Sequence, residues 1–187
     1  TSVFNQIATL THRQSLELIR NPLFLWIRVA LYAALGVMIA TVWLNIDTED
    51  PTTLQDRFSH FFFSVAFLCF CASSAAPAFI NDRIVYQRER ASGAYGPFVY
   101  LTANSITSTA IVFLIALIYQ SIVYYATNLN REEDRVFGFF GSLFLALLVA
   151  EWMVVMISAT TKYMIVAITM ASMANGANMV VQGYVRK

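Results

Sequence analysis

The chain has 187 residues, of which 58% are hydrophobic and only 12% charged, with a formal net charge of +1. A soluble domain averages roughly 45–50% apolar and about 25% charged residues, so this composition excludes an ordinary water-soluble fold, and the absence of any basic tract leaves no sign of a nucleic-acid partner. The apolar residues come in blocks longer than the ~18 needed to cross a bilayer as a helix, without the strict alternation of a barrel strand, which predicts an all-α membrane protein embedded in a lipid bilayer.

Residues 1–21 contain "FNQIATLTHRQSLELIRN", which puts Phe4, Ile7, Thr11 and Leu18 on one helical face and Arg13, Glu17 and Arg20 on another. The pattern predicts an amphipathic helix along the membrane interface, with a soluble linker helix as the alternative. A first span is expected at 23–44, opened by Pro22 and carrying Arg28 close enough to its end to snorkel. The second, at 58–79, repeats Phe63, Phe67 and Phe70 at i, i+4 and i+7, an aromatic wall that faces lipid, core or a ligand. Its two cysteines, Cys69 and Cys71, point in different directions from one helix and read as packing residues.

A charged elbow follows at 80–95, where Asp82, Arg83, Arg88, Glu89 and Arg90 lie between two apolar runs. As a helix it carries Ile80, Ile84 and Ala91 along one strip and Arg83, Gln87 and Arg90 along the next, and Ser92-Gly93 ends it. Spacing alone allows two roles, an anchor at lipid headgroups or a structured contact surface. The third span, 98–127, is longer than one bilayer requires and must tilt or project.

The fourth span, 136–158, holds Glu151, a carboxylate that costs about 2.5–3.5 kcal/mol at the bilayer centre unless it is neutral, paired or facing a cavity. It reads as a coupling residue or as a hydrogen-bonded packing residue. The fifth, 163–185, carries Asn175, Asn178 and Gln182 on one stripe among small residues, suited to helix packing or to lining a path. With the amino terminus in the cytoplasm, seven basic residues (Arg13, Arg20, Arg28, Arg83, Arg88, Arg90, Lys162) lie inside against five outside (Arg57, Arg131, Arg135, Arg186, Lys187). The elbow is then cytoplasmic.

The elbow, Asp82-Arg83-x-Val85-Tyr86-x-Arg88-Glu89-Arg90-x-Ser92-Gly93-x-Tyr95, resembles the "E-R-x-V-F-x-R-E-R-x-S-G-x-Y" segment between the second and third membrane helices of the G subfamily of ATP-binding cassette transporters, the white and pleiotropic-drug-resistance type. Asp82 replaces the family's Glu, and Arg20-Asn21-Pro22 is similar to its "R-[DN]-P" before the first helix. The resemblance implies a partial transmembrane domain: a bundle of five spanning helices, the family's sixth being absent from this sequence, preceded by an interfacial connecting helix. It also implies a nucleotide-binding domain of the same polypeptide, N-terminal to this region, which would bind ATP and Mg. No "G-x-x-x-x-G-K-[ST]" occurs here, so these residues contain no ATPase site.

By the same resemblance, Asp82, Arg83, Arg88, Glu89 and Arg90 form the coupling helix that sits on the ATPase domain. Phe63, Phe67, Phe70, Asn175 and Met179 line a small hydrophobic substrate's site between two protomers of a homo- or heterodimer, with Phe70 near an aromatic clamp, and Tyr184 and Val185 form a gate. The implied activity is export of amphipathic or lipid-like molecules, in the plasma membrane. Two readings from the residues compete with it, an ion-coupled carrier working through Glu151 and a non-transporting membrane scaffold.

Overall fold

A computed structural model describes residues 3–21, 25–44, 54–127, 133–161 and 163–181. Among these there are no strands, and the helices are α1 (Val3–Arg20), α2 (Trp26–Val42), α3 (Leu54–Cys71), α4 (Ala76–Ala91), α5 (Pro97–Ala126), α6 (Glu133–Thr160) and α7 (Met164–Val181). The protein is an all-α membrane bundle. Apolar composition and length suit α3 with α4, α5, α6 and α7 to crossing a bilayer, and α2 is a shorter apolar helix.

The second span does not end before the elbow begins. A 3-10 turn, Ala72–Ala75, joins α3 to α4, so the chain stays helical from Leu54 to Ala91. Pro77 explains the tightening: it has no N–H for the carbonyl of Ser73, which accepts from the Ala76 amide instead, while the Ser73 hydroxyl donates to the Phe70 carbonyl (2.7 Å). At the far end, Gly93 adopts φ 75°, the amide of Ala94 donates to the Glu89 carbonyl (3.1 Å) and that of Gly93 to Arg90 (3.0 Å). These paired bonds stop α4 and reverse the chain. Helix α5 restarts at once, with Gly96 extended (φ −88°, ψ 168°) and Pro97 in the first turn. Its 30 residues reach about 45 Å, well beyond a ~30 Å hydrocarbon core.

Packing is centred on α5, which lies against α1, α2 and α6. The main core joins α2, α3, α5 and α6 through Tyr32, Ile39, Leu68, Ile115, Tyr119 and Leu147. A second cluster, Leu10, Phe79, Val99, Tyr100 and Val155, seats α1 and α4 against one end of the bundle. A third uses small residues: Ala167 and Ala171 bring α7 close to Ala75, Ala76 and Val154. The outer faces carry Leu101, Phe113, Leu145, Val149, Met156 and Met173, exposed as lipid-facing side chains are.

The described face of α1 differs from the one expected. Leu10 and Gln14 are its buried residues, Ile7, Thr11 and Leu18 flank them, and Phe4 is 78% exposed. The helix turns toward α5 on Leu10, which the strip drawn through Phe4 and Thr11 passes by.

Candidate functional site

The charged residues of the elbow divide into those that fasten α4 and those that leave its surface free. Arg13 of α1 grips Glu89 with both terminal nitrogens, at 2.6 and 3.0 Å, and the Tyr95 hydroxyl donates to the same carboxylate. The hydrogen bonds from Arg13 hold the Glu89 carboxyl below its usual range. On the opposite side, Arg83 donates to the carbonyls of Ser158 (2.8 Å) and Ala159 (3.0 Å) in the last turn of α6. A cation there satisfies orphan carbonyls and meets the negative end of the helix dipole. Arg88 and Arg90 remain exposed, with no side-chain hydrogen bond or ion pair described for either.

The apolar strip expected to tie the elbow to the bundle is different in the structure. Ile80 is buried, but Ile84 and Ala91 are exposed. The tie is aromatic: Tyr86 stacks on Tyr100 of α5 with ring centroids 4.3 Å apart, and Tyr95 packs against Tyr86 at 5.9 Å. Alignment on aliphatic residues alone concealed it, because the tyrosines fall on a neighbouring strip.

Glu151 lies inside the bundle, 3% exposed, and accepts two hydrogen bonds from Arg28, one at 2.9 Å from Nη1 and the other from Nη2. Arg28 is itself 9% exposed and lies over the Tyr32 ring at 5.8 Å. The snorkelling expected of Arg28 is therefore overturned. The side chain points inward onto the carboxylate across the bundle, which neutralises its charge and offsets its desolvation there. The signal for this pair was present in the sequence: each is the lone charge of its apolar block.

Beside this pair is a cavity of about 80 Å³ between α1, α2, α4, α5 and α6. Gln14, Glu17, Arg28, Asp82, Asn104 and Glu151 are among the polar residues that line it. Neither Gln14 nor Asn104 was singled out from the sequence, since an amide in an amphipathic or long apolar helix carries no distinguishing pattern.

The residues expected to touch a ligand are distributed over two surfaces. Asn175 and Met179 line a groove between α3, α6 and α7, with Cys69, Leu145 and Met153 among its walls. Asn175 donates to the Cys69 carbonyl at 2.8 Å, and Asn178 reaches the Met153 sulfur at 3.7 Å. Phe63 is half-buried against Trp43 (5.8 Å) and stacks on the exposed Phe67 (6.0 Å). Phe70 is half-buried, with its ring tip 3.8 Å from where a Cβ at Gly176 of α7 would stand. Gln182, Tyr184 and Val185 lie outside the described residues.

Comparison with known proteins places this arrangement in context. A family model described as ABC-2 type transporter matches residues 5–187. The chain is 28% identical over 181 residues to ABC transporter G family member 11 of Arabidopsis thaliana, covering 97% of this chain and 26% of that protein. It is 33% identical over 153 residues to ABC transporter G family member STR2 of Medicago truncatula (80% and 20%) and 30% identical over 159 residues to ABC transporter G family member 24 of Dictyostelium discoideum (84% and 14%). It thus spans about a quarter or less of the length of these relatives.

Proposed function

Because the chain belongs to the ABC-2 type transporter family, as a transmembrane domain of the G subfamily, we propose that it is the membrane-spanning part of an ATP-driven exporter that moves amphipathic or lipid-like small molecules out of the cytoplasm or inner leaflet. A membrane transport role follows from the family; the energy source, direction and substrate class are the proposal. A nucleotide-binding domain of the same polypeptide supplies ATP and Mg binding, and two such membrane domains form the working dimer in the plasma membrane.

The carrying observation is how α4 is held. Its Glu89 is clamped to α1, its Tyr86 is stacked on α5 and its Arg83 caps α6, while Arg88 and Arg90 project free. A force applied at the two free guanidiniums is delivered to three helices at once, which is what a coupling surface under a moving ATPase domain requires. An ion-coupled carrier using Glu151 is less well supported, because that carboxylate already has a guanidinium on both oxygens.

The test is Arg88→Glu with Arg90→Glu in the full-length transporter. Transport falls at least about fivefold, the lower end of the usual range of coupling between sites, and ATP hydrolysis falls less than transport does. Equal loss of both, or no loss of either, removes the coupling role. Reaction of a cysteine placed at Arg88 with a membrane-impermeant reagent added outside intact cells overturns the topology.

A further inference from the structure

The cavity between α1, α2, α4, α5 and α6 has a polar lining of which only Asp82 belongs to the charged set of the elbow. Its deep end is the neutral Arg28 and Glu151 pair. Toward α1 it carries Glu17 and Asp82, and neither has an ion-pair partner among the described residues, whose two salt bridges are Arg13 with Glu89 and Arg28 with Glu151. The lining therefore has an excess of two carboxylates.

Buried polar atoms also point to an occupant. Gln14, 7% exposed, has no donor for its Oε1; Asn104, 8% exposed, has no acceptor for its Nδ2; and Nε of Arg28 is likewise unpartnered. Orphaned polar atoms of this kind are costly unless something in the cavity meets them. The volume suffices for several small molecules, a water needing about 10–15 Å³ by the same measure.

We propose that this cavity binds a small monovalent cation of potassium or ammonium size together with water, held by the carboxylates of Glu17 and Asp82 and by Oε1 of Gln14. Water fills the deeper part and bridges Arg28 Nε to the Asn104 side chain. A divalent or transition metal fits less well, because no cluster of three or more His, Cys, Asp or Glu ligands occurs among the described residues. Burial first, and then the neighbouring Glu17, push the Asp82 carboxyl up to about 6 against a smaller opposing pull from Arg13, the behaviour of a crowded anion whose charge is only partly compensated. A cation there joins α1 to α4 through the elbow's Asp82, without touching the exposed guanidiniums.

The experiment measures thermal unfolding of the full-length, nucleotide-free transporter in lipid nanodiscs as potassium chloride replaces N-methylglucamine chloride at constant ionic strength. Potassium raises the midpoint saturably by roughly 2–4 °C. Ammonium does the same. Asp82→Asn abolishes the rise while unfolding in N-methylglucamine no earlier than the parent. Should Asp82→Asn fail to fold, Glu17→Gln at the exposed mouth weakens the response and shifts its midpoint to higher potassium. Identical curves in potassium and N-methylglucamine mean that water alone fills the cavity and overturn the proposal, as does a full potassium response in Asp82→Asn. Transport does not enter the readout, so the outcome is independent of the exporter reading.

Discussion

At the scale of the residue, the Arg28 and Glu151 pair decides how charge is tolerated inside this bundle. Both oxygens of the carboxylate are occupied by one planar guanidinium, the geometry in which a buried pair best offsets its desolvation. Removing one partner strands the other. Glu151→Leu leaves Arg28 charged and uncompensated, and Arg28→Met leaves the carboxylate in the same position. Each single substitution is expected to cost about 3–5 kcal/mol, whereas Arg28→Met with Glu151→Leu costs far less than the sum, because well-packed apolar side chains can replace a buried pair at little loss. Thermal unfolding of the four proteins in one lipid environment closes the cycle. Additive losses would mean that the two side chains do not depend on each other.

At the scale of the element, the close approach of α2 and α5 rests on Gly36. A Cβ built there meets Tyr119 Cδ2 at 3.4 Å and Ile122 at 3.5 Å, so a single methyl fits and nothing larger does. Gly36→Ala is expected to change stability little, while Gly36→Leu forces the helices apart or Tyr119 off its rotamer and costs about 1–3 kcal/mol. Comparison of unfolding midpoints for the two variants checks this, and a tolerated leucine would show that the helices are not held at this spacing. Helices themselves were legible in the sequence, because long apolar blocks leave a membrane chain few alternatives and Pro97 and Gly93 punctuate them. What the blocks concealed was continuity: α3 runs through a 3-10 turn into α4, since apolar patterning marks where lipid ends and not where helical hydrogen bonding ends. Pairings between helices were less legible still. Arg13 with Glu89 spans 76 positions and Arg28 with Glu151 spans 123, and no periodicity reports on contacts so distant.

At the scale of the whole molecule, α3 and α7 present the surfaces on which a substrate site between two protomers would be built. Phe67 is exposed, Phe70 half-buried beside Gly176, and Met173 and Val180 of α7 are exposed as well. Asn175 is differently placed: its amide is committed to the Cys69 carbonyl, so it fixes α7 on α3 more than it offers a free donor. Within one protomer Met179 lines the groove between α3, α6 and α7, and Phe70 does not. The proposed shared site therefore depends on a second membrane domain bringing a further α3 and α7 across a common axis, where apolar aromatic walls with few polar groups have the usual form of a small-molecule cleft. Phe70→Ala in the full-length protein removes a ring without disturbing the Arg13, Glu89 and Tyr86 contacts that hold the elbow. Substrate-stimulated ATP hydrolysis should then fall more than basal hydrolysis, with a larger substrate concentration needed for half-stimulation, because ligand contact is lost while the route from ATPase domain to membrane helices is kept. Met179→Ala separates the two surfaces. If the groove within one protomer is the site, Met179→Ala has the larger effect; if the site lies between protomers at Phe70, the order reverses. Equal loss of basal and stimulated hydrolysis in Phe70→Ala would assign the ring to helix packing and remove it from the substrate path.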